Sequence, residues 1–244
     1  MYEAAAWAPH ALRKLAESDV LGSRGAQFLL QYSEGRTITL SKAFFGVLTP
    51  ELGARLWVNA LSSFNSGSSP RRPMTFELLF AIEWNTACQE EILNSLPADI
   101  VPTCLFGDQL GFIPQDVATA VADQSREPSW VRRALLDCMT LPRCWCLRHG
   151  RSCEARTADV NIAGTCTDHS TMNYQLSGMD GSKNRFYWAW VRHRRAHLQA
   201  VFIHENVVAF GVHQLEQDSV KMGSVVCLLL FSGVLHMHRF ILLS

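Results

Sequence analysis

Short apolar runs that each stop at a polar or acidic residue, with helix or loop signals after them, constrain this chain most. They are Trp57–Phe64, Phe76–Ile82, Pro102–Phe106, Val160–Ala163 and Gln199–Ile203. Near-continuous apolarity over so few residues is what a strand buried on both faces requires. Functional groups in such sheets gather just past the carboxyl ends. The pattern predicts an α/β fold built on a Rossmann-like, doubly wound parallel sheet. A helix is expected over Thr86–Leu93, capped by Asn85, and another over Asn184–Arg195.

The rhythm is framed by segments of other texture. Residues 1–56 carry apolar spacing of helical type at Ala11–Leu15 and Phe28–Tyr32, and are expected to form an N-terminal helical extension. Residues 57–211 form the expected core. Within it, 109–158 is too long to be a plain connection and reads as an insertion. Its helices are expected at Asp116–Asp123 and Trp130–Leu136, and its Pro142–Arg156 stretch is rich in Cys and Arg. Residues 212–244 form a divergent apolar tail. Its run Val225–Leu235 is too short for a membrane-spanning helix, which needs about 20 apolar residues, so a buried strand or helix is expected and no membrane partner.

Charge is uninformative: 22 Lys+Arg balance 22 Asp+Glu. Contact with nucleic acid would therefore rest on local clusters, and two stand out. One is Arg143, Arg148, Arg151 and Arg156; the other is Arg192, His193, Arg194 and Arg195. The eight cysteines follow no secretory start, which points to reduced thiols and an intracellular setting, the nucleus in a eukaryote. Cys144, Cys146, His149 and Cys153 offer four nitrogen and sulfur ligands of the kind zinc takes. The C-x-C pair is tight for one ion, so the spacing favours a reduced, Arg-rich loop over a zinc site.

Taken in order, Glu83-Trp84-Asn85, Gly107-Asp108, Gly164-Thr165-Cys166-Thr167-Asp168-His169-Ser170 and Glu205-Asn206-Val207 resemble the motifs of DNA cytosine-5 methyltransferases. The likeness runs from about Val58 to Gly211. It implies an S-adenosyl-L-methionine-dependent methyltransferase sheet, with Cys166 as the nucleophile that adds to carbon 6 of cytosine and Glu205 at the polar edge of the base. It implies that Phe64 and Gly67 lie in the loop holding the methionine moiety, that Glu83 binds the ribose, that Trp84 packs on the adenine and that Asp108 accepts from its amino group. DNA, or alternatively RNA, is the implied partner.

The sequence departs from the family's pattern in three places. Thr165 stands where proline usually precedes the cysteine, the loop Phe64–Ser68 has one glycine, and nothing in 212–244 matches the family's base-recognition region. The expectation is therefore an incomplete or fragmentary enzyme, completed by a second polypeptide that supplies recognition. The alternative is a catalytically inactive methyltransferase-like module that binds cofactor, nucleic acid or protein. A terminal hairpin over Lys221–Ser244 is the other reading of the tail.

Overall fold

In a computed structural model of the chain, residues 35–44, 59, 75–123, 125–164 and 184–197 are described, together with the backbone of 201–207, 225–232 and 236–243 and the side chain of His204. The elements are β1 (Thr37–Ala43), β2 (Thr75–Ile82), α1 (Thr86–Asn94), β3 (Cys104–Phe106), a 3-10 turn (Gln109–Phe112), α2 (Gln115–Ala122), α3 (Pro128–Asp137), β4 (Arg143–Cys146), β5 (Arg151–Glu154), β6 (Val160–Ala163), α4 (Asn184–His197), β7 (Val201–Val207), β8 (Val225–Ser232) and β9 (His236–Leu243). The chain divides into two compact units, 1–39 with 48–77 and 40–47 with 78–244. The second unit holds helices α1–α4 and most of the sheet.

The fold is α/β, with one mixed sheet in the order β5-β4-β3-β2-β1-β6-β7-β8-β9. Pairing is parallel for β2 with β3, β1 with β6, β6 with β7 and β7 with β8. It is antiparallel at the margins, where β3 meets β4, β4 meets β5 and β8 meets β9. A first strand flanked by the second and third on one side and the next parallel strands on the other is compatible with a Rossmann-like fold.

Four of the expected strands, β2, β3, β6 and β7, form where the apolar runs lie, as do the helices expected after β2 and β6. Asn85 caps α1, its side-chain oxygen accepting from the Ala87 and Cys88 N–H groups at 3.0 and 3.3 Å. The helix ends within two residues of the expected limit. The helices α2 and α3 likewise sit where helices are expected in the insertion.

The largest departure is β1. The sequence pattern puts residues 37–43 within a helical extension, yet they form a strand between β2 and β6. The segment TITLSKA alternates polar and apolar residues, while Ser41 and Lys42 are both buried. Burial of Ser41 is offset by Asn161 on β6, whose amide donates to the Ser41 hydroxyl at 2.9 Å. The Trp190 indole N–H on α4 in turn donates to Asn161 Oδ1 at 2.9 Å. This relay supplies the hydrogen bonds that buried polar groups require. Asn59, within the expected strand Trp57–Phe64, is helical.

The Cys/Arg-rich stretch, expected as a loop, is instead the hairpin β4–β5, paired from Arg143↔Glu154 to Cys146↔Arg151. At the other end of the sheet, residues 225–232 and 236–243 form an antiparallel pair, which is the hairpin reading of the tail. Among the described residues no helix is long and apolar enough to cross a membrane.

The core lies between the sheet and helices α3 and α4 with the 3-10 turn. Phe80, Phe106, Phe112, Leu135, Tyr187 and Trp190 are almost fully buried there. Phe106 and Phe112 meet edge to face with centroids 5.0 Å apart, a favoured aromatic arrangement.

Candidate functional site at the strand ends

Register aligns the carboxyl ends of β1, β2, β3 and β6 in one row, with His204 inside β7 level with them. Ala43 pairs with Ala163, and Ala163 with His204. Ile82 pairs with Phe106, and the Phe44 N–H donates to the Ile82 carbonyl at 3.0 Å. The next residues along the chain are therefore Asp108 after Gly107, Glu83, Phe44, Gly164 and Glu205. The Gly164 N–H donates to the Ala43 carbonyl at 3.0 Å, which ties the exit of β6 to the end of β1.

Glu83 is 4% exposed. One carboxylate oxygen accepts from the Asn85 N–H at 2.9 Å. The Gln89 side chain donates to the Glu83 carbonyl at 2.6 Å, and the Glu83 N–H donates to Phe106 O at 3.0 Å. The residue is thus held from both the helix and the neighbouring strand. Trp84, directly after it, is 59% exposed, an indole presented to solvent beside a buried acid.

Asp108 caps the 3-10 turn, its Oδ1 accepting from the Leu110 N–H at 2.9 Å. Burial raises its pKa, against the lowering effect of the Leu110 backbone bond, of Arg185 and of the Gln109 backbone bond. Part of its accepting capacity therefore serves the turn.

Phe44 has a φ of 62°, the left-handed region that costs a non-glycine residue about 1–2 kcal/mol. It closes the central strand where phosphate- or nucleotide-binding sheets carry their first loop. The sequence pattern puts that loop at Phe64 and Gly67 instead, and both lie outside the described residues. The signal for β1 is Phe44-Phe45-Gly46 after an alternating segment, masked by the polar Thr, Ser and Lys of the strand.

Cys166 also lies outside the described residues. Glu205 is expected at a strand end, but β7 continues to Val207 and Glu205 pairs with Leu229. Gly164 follows Ala163, the partner of His204, so the chain leading to Cys166 leaves the sheet at the level of Glu205.

The basic clusters separate. Arg143, Arg148, Arg151 and Arg156 are exposed on or beside the hairpin, as is Trp145. Arg143 also donates to the Ser152 carbonyl, and Arg148 to that of Pro102. By contrast, His193 and Arg194 are buried. The His193 ring stacks on Phe112 at 4.4 Å. Its Nδ1 lies 3.0 Å from the Gln109 amide nitrogen and 2.9 Å from an Arg194 guanidinium nitrogen. The guanidinium can only donate, so Nδ1 accepts from Arg194 and the neutral ring carries its proton on Nε2. Burial, then Arg194 and His197, hold its pKa well below the usual value. This half of the second cluster is core rather than phosphate contact.

The four candidate ligands of the Cys/Arg-rich stretch, where spacing favours a reduced loop over a metal site, do not assemble as a set. Cys146, His149 and Cys153 come together with Cys104 of β3, all four ligand atoms lying within 4.8 Å of one another. Cys144 lies elsewhere, its sulfur 2.5 Å from where a Cβ on Gly111 would be. No protein-family model matches the chain, and no curated protein matches it.

Proposed function

We propose that the chain binds S-adenosylmethionine at the carboxyl ends of β1–β3 and methylates carbon 5 of cytosine in DNA through Cys166. The observation that carries this reading is the single row formed by the strand ends. It puts a held, buried carboxylate (Glu83) beside the central strand, and Glu205 level with the exit toward Cys166.

The residues present fit the cofactor. Glu83, a buried carboxylate at the end of β2, takes hydroxyl hydrogen bonds from the ribose. Trp84 offers an exposed aromatic face to the adenine, and Asp108 offers what its turn leaves free to the amino group. When bound, S-adenosylmethionine supplies an electrophilic methyl group.

The rest falls to the chain's own side chains. Cys166 adds as thiolate to carbon 6 of the cytosine, which makes carbon 5 nucleophilic, and after methylation it is expelled as thiolate when a solvent base takes the carbon 5 proton. Glu205 holds the polar edge of the base. A paired cytosine is out of reach in a duplex and must be extruded. The exposed Arg143, Arg148, Arg151 and Arg156 supply phosphate contacts that fix the nucleic acid without reading its sequence.

Calorimetric titration with S-adenosylmethionine tests the reading, paired with a methyl-transfer assay on DNA. Binding by the full chain should be lost in Glu83→Ala and kept in Cys166→Ser, while Cys166→Ser should abolish transfer. Absence of binding by the folded chain overturns the proposal, as does turnover that survives Cys166→Ser. Binding without transfer in the unaltered protein would instead support a catalytically inactive cofactor-binding module.

A further inference from the structure

We propose that Cys104, Cys146, His149 and Cys153 bind one zinc ion, which staples the hairpin β4–β5 to the edge of the parallel sheet. The site is independent of the methyl-transfer reading. Nδ1 of His149 lies 3.8 Å from the Cys104 sulfur, 3.3 Å from that of Cys146 and 3.5 Å from that of Cys153. Zinc–sulfur bonds of about 2.3 Å and zinc–nitrogen bonds of about 2.0–2.1 Å at tetrahedral angles give nitrogen–sulfur edges of ~3.6 Å. The observed separations bracket that value.

Hydrogen bonding does not account for such a cluster. The one lone pair of a neutral imidazole nitrogen takes a proton from a single donor, yet three sulfurs converge on it. Three thiols and an imidazole around a common centre are what a soft, tetrahedral cation requires. Two of the cysteines, Cys104 and Cys146, are buried, and a set of four protein ligands leaves no open position for substrate, so the ion is structural.

Local structure prepares the set. Cys146 ends β4 and His149 lies in the turn that follows, closed by the Gly150 N–H donating to the Cys146 carbonyl at 2.9 Å. Gly150 has a φ of 59°, a conformation glycine adopts without the Cβ penalty. The turn therefore brings two ligands three residues apart to one point, and Cys153 returns on β5. Cys104 comes from β3, whose pairing with β4 is a single register pair, Phe106↔Cys146, supported by the Leu147 N–H donating to Leu105 O at 2.7 Å.

A hairpin of two four-residue strands, held to the sheet by so little pairing, is marginal alone. Coordination fixes it, and with it the strand that leads into Gly107-Asp108. Binding converts three thiols to thiolates and releases up to three protons to solvent, the ion accepting their lone pairs and that of His149 Nδ1.

The test uses the full chain purified under reducing conditions. Elemental analysis should find one zinc per chain. Replacement by cobalt(II) should give the ligand-field bands of a tetrahedral site and a sulfur-to-cobalt charge-transfer band. Cys144→Ser should retain the metal and the whole band, whereas Cys104→Ser should lower the band by about one third, three thiolates becoming two. If Cys104→Ser does not fold, Cys104→Asp keeps a ligand and should show the same reduction. A protein that takes up no zinc, that holds iron instead, or that loses charge-transfer intensity in Cys144→Ser overturns the proposal.

Discussion

Replacing Asn161 by leucine should destabilise the protein chiefly through the indole of Trp190. Asn161 is fully buried on β6 and joins two other elements, accepting from Trp190 Nε1 at 2.9 Å and donating to the Ser41 hydroxyl at 2.9 Å and to the Ser41 carbonyl at 3.3 Å. Leucine keeps the number and branching of the side-chain heavy atoms, so no cavity results. It removes the acceptor that Trp190 uses and the donor to Ser41. A buried donor that loses its partner costs about 1–3 kcal/mol, whereas the Ser41 hydroxyl can rotate toward another group. The expected loss is ~2 kcal/mol, or roughly 4–8 °C in Tm for a domain of this size. Urea unfolding at constant m-value measures it. Adding Trp190→Phe removes the stranded donor, so the double variant should be less destabilised than the two single losses summed, by about 1–2 kcal/mol. Additivity to within about 0.5 kcal/mol, or a neutral Asn161→Leu, would refute the account of why a polar strand can sit at the sheet's centre.

Acid should weaken the fold well before the carboxylates titrate. His204 is fully buried with its pKa lowered to about 3, and burial also lowers that of His193. Both are neutral in the native protein and protonate near pH ~6.5 once unfolded. Stability is therefore complete above that pH and falls as pH drops toward the folded values, by up to about 1.4 kcal/mol per pH unit for each ring. Urea midpoints compared at neutral pH and about two units lower would show this, and a flat profile would exclude it. Gly111→Ala should cost about 1–3 kcal/mol by overpacking, because its new methyl would sit 2.5 Å from the Cys144 sulfur. In a Cys144→Ala background that penalty should vanish in thermal melts; an equal penalty in both backgrounds would place the strain elsewhere.

Glu83 and Asp108 were legible as strand-end carboxylates because β2 and β3 are apolar runs that stop abruptly. The register that sets them level with Phe44, Gly164 and Glu205 was not, since it depends on which strands pair. Phe44 shows the same limit: its left-handed backbone follows from its place at the end of a central strand, which residue type does not reveal.

By itself the sequence determined the α/β class, strands β2, β3, β6 and β7, and the helices α1 to α4. Each of these is written locally, as an apolar run of strand length or as a cap followed by helical spacing. Only the tertiary structure decided that β1 is a strand at all. Its polar residues contradict a buried position until Asn161, 120 residues away, supplies the hydrogen bonds. The same holds for the metal ligands. Spacing alone grouped Cys144 with Cys146, His149 and Cys153, but ligands are chosen by distance in space. The pairing of β3 with β4 brings in Cys104, whereas the sulfur of Cys144 packs toward Gly111.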